Sequence, residues 1–570
     1  MTVGQSIRNR LRATANLIRA LVRLSRGAAR GGMTVWSWSA LAAVALTTLP
    51  LIVISFGVFG SGSETWQHMV STVLPDYLYN SAILMVGVGA LALLIGVSTA
   101  WLVAAYDFPG RSFFEWSLVL PLAVPTYIIA YTYAGIFDYW GPLQGLLENL
   151  WPAMGDVHLR GAIMSREGAM LMMALVLYPY VYVITRASFL KQSTSALEMA
   201  RLLGRGPWHT FFRVALPMAR PAVAAGLTLV LMEVLNEYGA VKYYGVPTFT
   251  TGIFRAWFPL NDPGAAIRLS GLLLLFVFSL IVLERLQRGR ARFDDGAAPP
   301  RPASRVTLRG GAALAASAAC LAPLAFGFIA PVAQLVYWAA GAAVGFVDVR
   351  FLMLTAHSFG LAVVAAILIV AVALLIGYAV RLSPTPLLRL ASRVAVLGYS
   401  IPGAVIAVGV FIPLVWMDRR VDSVAVAAFG TSTGLLLSGT LVALVFAYVV
   451  RFLAVALNPV DAGFKHVCGN LDETSRSLGV SPTKTLLRVD IPLLKGTLLS
   501  AALLVFVDVL KELPLTLILR PFNFDTLATR AYQLASDERI AQSAIPALLI
   551  ILVGLAPVIV LNKLIGKADR

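Results

Sequence analysis

Two twenty-residue stretches of this chain are copies of one another. The first is EMARLLGRGPWHTFFRVALP at residues 198–217, and the second is ETSRSLGVSPTKTLLRVDIP at residues 473–492. They align without a gap at an offset of 275, and nine of their twenty positions are identical. Background composition would give roughly one or two identities. The chain therefore contains an internal repeat of long period.

The repeat extends beyond these two stretches. The same offset places Leu235, Glu237, Phe249, Thr251, Arg255 and Ala256 on Leu510, Glu512, Phe524, Thr526, Arg530 and Ala531. Pro125 and Pro402 correspond at an offset of 277. These matches predict that most of the chain is a tandem duplication.

Composition places both copies in a membrane. Of 570 residues, 59% are hydrophobic and 13% are charged, and the mean hydropathy is +0.82, which excludes a string of soluble domains. A bilayer core needs about 20 apolar residues per helix. Twelve stretches meet this need, near residues 36–58, 79–105, 115–139, 167–186, 218–238, 264–283, 310–338, 356–380, 394–415, 433–452, 493–513 and 541–562. The predicted fold class is an all-α polytopic membrane protein with two tandem six-helix modules.

The domain boundaries follow from the polar segments between these spans. Residues 284–309 are rich in Arg and Pro and are predicted to be a cytoplasmic linker. The other predicted regions are a basic tail at 1–35, a first module at 36–283, a second module at 310–562 and a short tail at 563–570. The basic tail has two interpretations, an interfacial helix on anionic lipid or a solvated segment that sets topology.

The distribution of basic residues predicts the orientation. If both termini are cytoplasmic, 33 of the 45 Lys and Arg residues lie on the inside and 12 on the outside. The net charge of +17 is spread over all inner loops, so it does not form the single basic stripe of a nucleic-acid-binding protein. Both repeated stretches fall on the cytoplasmic side, between the fourth and fifth spans of their module.

Each repeated stretch has the pattern of a helix, a sharp turn and a second helix. A Glu-x-x-Arg pair shares one helix face, a glycine then suits a left-handed helix end, and a proline three residues later suits the first turn of a new helix. We predict a docking element for a partner, against the alternative of an inert helical hairpin. The predicted docking residues are Glu198, Arg201, Gly204, Pro207, Pro217, Glu473, Arg476, Gly479, Pro482 and Pro492.

The two stretches resemble the EAA loops of ABC-importer permeases. Their glutamates, glycines and terminal prolines have the spacing of that motif, with EMA and ETS in place of EAA and Ile491-Pro492 in place of Leu-Pro. Two permease modules in one polypeptide are similar to the ferric-iron and thiamine importers. Residues 236–258 and 507–539 are most similar to the ferric-iron permeases.

The resemblance implies partners and a location. It implies two copies of a cytoplasmic ABC ATPase subunit that bind ATP and Mg, a periplasmic ferric-iron-binding protein and the bacterial inner membrane. It implies no cofactor and no tightly bound metal on this chain. Independently, the sequence contains no G-x-x-x-x-G-K-[ST] phosphate-binding loop, so this chain is not expected to be an enzyme.

Four acidic residues occupy matched places in the fifth span of each module. Glu233 and Glu237 correspond to Asp508 and Glu512. Ionisable groups inside spans usually face a cavity or pair with one another, and hard oxygen donors suit Fe³⁺. One interpretation is a substrate pathway, and the other is structural ion pairing with Lys242, Lys511, Arg255 or Arg530.

Three classes of function compete at this point. The first is an ATP-driven importer of ferric iron, with thiamine or another small solute as the alternative substrate. The second is an ion-coupled secondary transporter, which has no need of cytoplasmic docking loops. The third, an intramembrane enzyme, lacks support because no His-Glu-x-x-His motif occurs.

Overall fold

A computed structural model describes most of the chain. The described residues are 33–60, 63–139, 141–145, 160–191, 199–200, 203–288, 305–342, 348–467 and 470–568. Two predicted docking residues, Glu198 and Arg201, lie outside these ranges, as do nearly all of the basic tail and residues 289–304 of the linker.

Helices make up nearly all of the described first half. They are α1 (Val35–Gly57), α2 (Glu64–Thr72), α3 (Leu74–Ala105), α4 (Arg111–Ser117), α5 (Thr126–Ile136), α6 (Arg160–Ile163), α7 (Arg166–Lys191), α8 (Pro207–Thr210), α9 (Leu216–Asn236), α10 (Gly239–Tyr243), α11 (Phe249–Trp257) and α12 (Pro263–Arg288). A short strand, β1 (Tyr106–Asp107), follows α3.

The second half repeats this plan. After strand β2 (Val306–Thr307) come α13 (Gly311–Leu324), α14 (Ala330–Ala342), α15 (Val349–Leu382), α16 (Pro386–Ala395), α17 (Gly403–Phe429), α18 (Leu441–His466), α19 (Asn470–Ser477), α20 (Pro482–Thr485), α21 (Ile491–Leu510), α22 (Pro514–Leu519), α23 (Leu527–Ser536) and α24 (Ile540–Ala568).

The described residues contain ten helices that are long and apolar enough to cross a membrane, or twelve if two bent pairs each count as one span. This confirms the predicted fold class. The bent pairs are the third span of each half, Arg111–Ala123 with Thr126–Ile136 and Pro386–Ser400 with Gly403–Phe429, which bend by 91° and 115°. Each bend falls at a matched proline, Pro125 or Pro402, because a proline disfavours helical backbone in the residue before it.

The chain divides into two compact units, and in each unit one span comes from the other half of the sequence. One unit comprises Met1–Val53, Gly360–Ser400 and Gly409–Val509, and the other comprises Ile54–Phe359, Ile401–Val408 and Leu510–Arg570. In the former, Trp36 of α1 packs edge-on against Tyr378 of α15, with ring centroids 5.1 Å apart. The limits of the compact units therefore differ from those of the sequence modules, which stay a prediction.

In the larger unit, the first span of the second half, α13, joins the first module. The Ser317 hydroxyl on α13 donates to the Pro109 carbonyl oxygen over 2.9 Å. Beyond α13, the Tyr133 hydroxyl on α5 donates to the Phe326 carbonyl oxygen over 2.6 Å. Each first span thus packs on helices that lie beyond the linker in sequence.

The end of the linker is ordered by a strand pair. Strand β2 pairs in parallel with β1, with Tyr106 opposite Val306 and Asp107 opposite Thr307. The Leu308 N–H then donates to the Asp107 carbonyl oxygen over 2.9 Å. Of residues 284–309, which are predicted to be a linker, the first five continue α12 to Arg288 and the final residues are tied to the first module.

Candidate functional site

Both repeated stretches form the same helix end. Gly204 and Gly479 have φ angles of +70° and +72°. The Val480 N–H donates to the Ser475 carbonyl oxygen and the Gly479 N–H to that of Arg476, which together form a Schellman motif. The Arg205 N–H makes the matching bond to Ala200. The prediction of left-handed glycines at these two turns is confirmed.

The helix after each turn differs from the prediction of a separate short helix. Residues Pro207–Asn236 and Pro482–Leu510 are each one continuous helix, with five π-helical residues before the span proper. These residues come just before Pro217 and Pro492. A proline lacks an N–H and its ring presses on the carbonyl group four residues earlier, and a widened π turn relieves this contact. The repeated loop is therefore rigidly continuous with the fifth span.

Apolar side chains project from both loops. Leu203 and its repeat partner Leu478 are 72% and 76% exposed, and Trp208 is 75% exposed. Phe212 and its partner Leu487 are also exposed. Exposed apolar groups at matched places, carried by rigid helices, are typical of surfaces that bind another protein.

An aromatic pair supports the base of each loop. In the first half, Trp101 lies 5.2 Å from Phe189 and 5.3 Å from Phe211, measured between ring centroids. In the second half, Tyr378 lies 6.2 Å from Phe464, and its hydroxyl donates to the Pro482 carbonyl oxygen over 2.7 Å. Sequence reasoning missed these supports, although Phe189 and Phe464 are related by the repeat offset of 275.

Only the second loop, as described, has a charged anchor as well. The Arg381 guanidinium donates to the Asp472 carboxylate over 2.5 Å and to the Phe464 carbonyl oxygen over 2.6 Å. Both side chains of this ion pair are largely buried. Position 104, which is 277 residues before Arg381, is an alanine, so the first module cannot form the same pair.

The carboxylates at the end of the fifth spans cap the helices that follow them. Glu237 accepts a hydrogen bond from the Ala240 N–H over 2.8 Å at the start of α10. Glu512 accepts one from the Leu515 N–H over 3.1 Å at the start of α22. In the part of the chain that the structure describes, Glu237 forms hydrogen bonds but no ion pair, so the predicted pairing with Lys or Arg does not hold for this residue.

The two bent spans converge on the end of α9. The Thr126 hydroxyl, directly after Pro125, donates to the Glu237 carboxylate. The Gly403 N–H, directly after Pro402, donates to the Asn236 side-chain oxygen over 2.9 Å. The matched prolines therefore direct two helix N-termini, which favour negative charge, towards this end of the span. Sequence reasoning found the prolines but not this contact.

Three of the four predicted pathway carboxylates interact electrostatically. Glu237 is within electrostatic range of Glu233 and Glu512. Asp508 belongs to the compact unit that contains residues 409–509, whereas the other three belong to the larger unit. The described residues contain no group of three His, Cys, Asp or Glu side chains arranged to hold a metal ion.

The fold and these repeated elements match a known family. The chain belongs to the family described as the binding-protein-dependent transport system inner membrane component, whose model matches residues 92–292 and again residues 369–568. It is thus an inner-membrane permease of the ABC-importer class, with two modules in one polypeptide.

Its relatives differ in the share of the chain that they cover. The Fe(3+)-transport system permease protein FbpB 2 of Haemophilus influenzae is 26% identical over 505 residues, which is 86% of this chain and 90% of that protein. The probable sulfate transport system permease protein cysT of Nephroselmis olivacea is 27% identical over 36% of this chain and 71% of its own length. The molybdenum transport system permease protein ModB of Escherichia coli is 27% identical over 38% of this chain and 96% of its own length.

Proposed function

We propose that this permease imports ferric iron, which a periplasmic binding protein delivers and which two copies of a separate cytoplasmic ATPase subunit drive inward. Both termini of the chain are cytoplasmic in this proposal. The observation that supports ferric iron as the substrate is the length over which the relatives align with this chain. The alignment with the ferric-iron relative is 505 residues long and covers both modules, whereas those with the sulfate and molybdenum relatives are 210 and 227 residues long, about one module.

Charge supports the choice of a cation. Glu237, directly after the end of α9, is within electrostatic range of Glu233 and Glu512. A group of carboxylates in a low-dielectric mouth attracts cations and repels oxyanions such as sulfate and molybdate. Fe³⁺ prefers oxygen ligands. The site must release iron to conduct it.

The repeated loops supply the route for energy. Each loop is continuous with a fifth span, so a displacement of the exposed loop moves the helix that ends at Asn236 or Leu510. In this proposal the ATPase subunits bind the apolar faces of the loops. The predicted docking residues then either shape the turn or contact the partner, with Gly204 and Gly479 in the first role.

The test is uptake by the purified complex in proteoliposomes. We expect radioactive iron, supplied on its binding protein, to enter only when ATP is present on the ATPase side. Sulfate, molybdate and thiamine are the matched competitors. Uptake of one of these in place of iron would contradict the substrate. Uptake that depends on an ion gradient and not on ATP would support the secondary-transporter class.

A paired variant tests the carboxylates. Glu237→Gln with Glu512→Gln keeps the acceptor oxygens that cap α10 and α22 but removes both charges. We expect iron uptake to fall while complex yield and basal ATPase activity are retained. Loss of yield would instead assign these residues a structural role, and unchanged uptake would remove them from the pathway.

A further inference from the structure

A cleft of about 490 Å³ opens at Tyr238, two residues after the end of α9. Its lining comes from α3, α10 and α11 and includes Tyr77, Tyr238, Lys242, Phe254, Arg255 and Phe258. The volume is within the range of small-molecule sites. In the predicted topology this cleft faces the outside of the membrane, where substrate arrives.

Aromatic rings form one wall of the cleft. Tyr238 and Phe254 stack with their ring planes 16° apart, and Phe254 lies 6.0 Å from Phe258 between centroids. Tyr77 is held against α11 because Gly252 has no side chain. A Cβ atom at Gly252 would lie 2.5 Å from the Tyr77 ring. The wall is thus fixed by close packing before any ligand arrives.

Two cations face this wall, and among the described residues neither has a carboxylate partner. The Arg255 guanidinium, on α11, interacts with the Tyr77 hydroxyl group. Lys242 lies in the last turn of α10. Both side chains are exposed, and among the described residues neither forms an ion pair. An arginine can bind a carboxylate through two parallel hydrogen bonds, while lysine acts as a compact point charge.

The second module lacks this arrangement. The residue that matches Lys242 at the offset of 275 is Leu517. The capping boxes that begin α11 and α23 are Thr248 with Thr251 and Thr526 with Thr529, so the offset there is 278. At this offset Arg255 corresponds to Gln533 and not to Arg530. Because the second copy folds without the cations, the fold does not require them.

We propose that this cleft binds a small carboxylate anion that accompanies ferric iron to the permease. The inference rests on the proposed function for the origin of the anion. Lys242 and Arg255 hold the carboxylate groups, and the aromatic wall packs against the carbon skeleton. A concave site with stacked rings suits an enclosed small ligand better than a side chain on a flat protein surface.

The experiment measures citrate binding to the complete permease–ATPase complex in nanodiscs. Radioactive citrate is the probe and inorganic phosphate is the competitor. We expect saturable binding of citrate that Arg255→Gln weakens at least about tenfold, since a charge-assisted hydrogen bond contributes this much. Lys242→Gln should have a smaller effect. Arg539→Gln, the same change at an exposed residue outside the cleft, should have none.

Several outcomes would overturn the proposal. One is the absence of saturable citrate binding in the wild type, and another is citrate binding that survives Arg255→Gln. Strong phosphate binding without citrate binding would assign an inorganic oxyanion. Weakened affinity of Arg255→Gln for the periplasmic binding protein alone would assign a protein-docking surface. If citrate binds as expected but the wild type transports no iron, the proposed function fails and the anion site stands.

Discussion

The two repeated loops share a backbone but differ in what surrounds it. Gly204 and Gly479 end their helices with φ angles within two degrees of each other. The first loop, however, exposes Trp208, where the second has Thr483. The second loop is fastened to α15 by the ion pair between Arg381 and Asp472. The comparison teaches that glycine and proline preserve the turn in both copies. The contacts that anchor each loop and the side chains that it exposes have diverged.

The largest expected effect is on the anchor of the second loop. Arg381→Ala would leave Asp472 buried without its partner, which costs about 3–5 kcal/mol in comparable buried pairs. We expect a lower unfolding temperature of the complex and faster proteolysis at residues 470–480. Lys465→Ala, which removes the exposed pair with Asp461, is the matched control and should change stability by less than about 1 kcal/mol. Equal effects of the two variants would contradict the anchor.

The next effect concerns the exposed surface of the first loop. Trp208→Ala removes a large aromatic group, and such anchors commonly contribute about 2 kcal/mol or more at protein interfaces. We expect Trp208→Ala to lower the affinity for the ATPase subunit more than Leu478→Ala in the second loop does. Titration of the permease with purified ATPase measures both. Trp38→Ala, at an exposed tryptophan on α1, controls for the loss of an indole and should leave the affinity unchanged.

Replacing the turn glycines should have a smaller and more equal effect. A Cβ atom at Gly204 or Gly479 would meet nothing within 4 Å, so the cost of valine comes from the left-handed backbone, about 1–2 kcal/mol. We expect Gly204→Val and Gly479→Val each to lower transport and stimulated ATPase activity while membrane insertion persists. Gly496→Ala, within α21 and equally open, should be silent. Normal uptake by the Gly204→Val and Gly479→Val double variant would refute the role of the turns.

The smallest expected effects concern the linker, whose middle and C-terminal end should respond differently to change. Cutting the chain within residues 289–304 and co-expressing both parts should give a working complex, because such a composition cannot bury a core. Leu308→Pro removes the hydrogen bond to Asp107 and should cost about 1 kcal/mol, visible as weaker association of the two parts of the cut chain. Thr307→Ala keeps the backbone bond and serves as the control. Identical association of both variants would show that the strand pair contributes nothing.

Sequence matching was reliable where the chain is helical and failed where a loop changes length. The offset of 275 holds from the pair Gly204 and Gly479 to the pair Glu237 and Glu512. The carboxylates of Glu237 and Glu512 each cap the helix that follows. Three residues are then added around Arg520–Thr526, so Thr251 does not correspond to Thr526 in the structure. Helix periodicity penalises insertions, whereas a surface loop absorbs them at little cost. Chance identities can therefore extend an alignment past its true register.

By itself, the sequence determined the spans, the duplication and the two glycine turns, because apolar length, repeated motifs and left-handed backbone are local properties. Only the tertiary structure decided which helices pack together. The placement of α1 and α13 in the two compact units, the contact of Thr126 with Glu237 and the cleft that Tyr77 lines with Lys242 and Arg255 all join residues distant in sequence. Apolar helices present similar hydrophobic surfaces to many partners, so their pairing depends on side-chain shape and polar contacts that no pattern along the chain records.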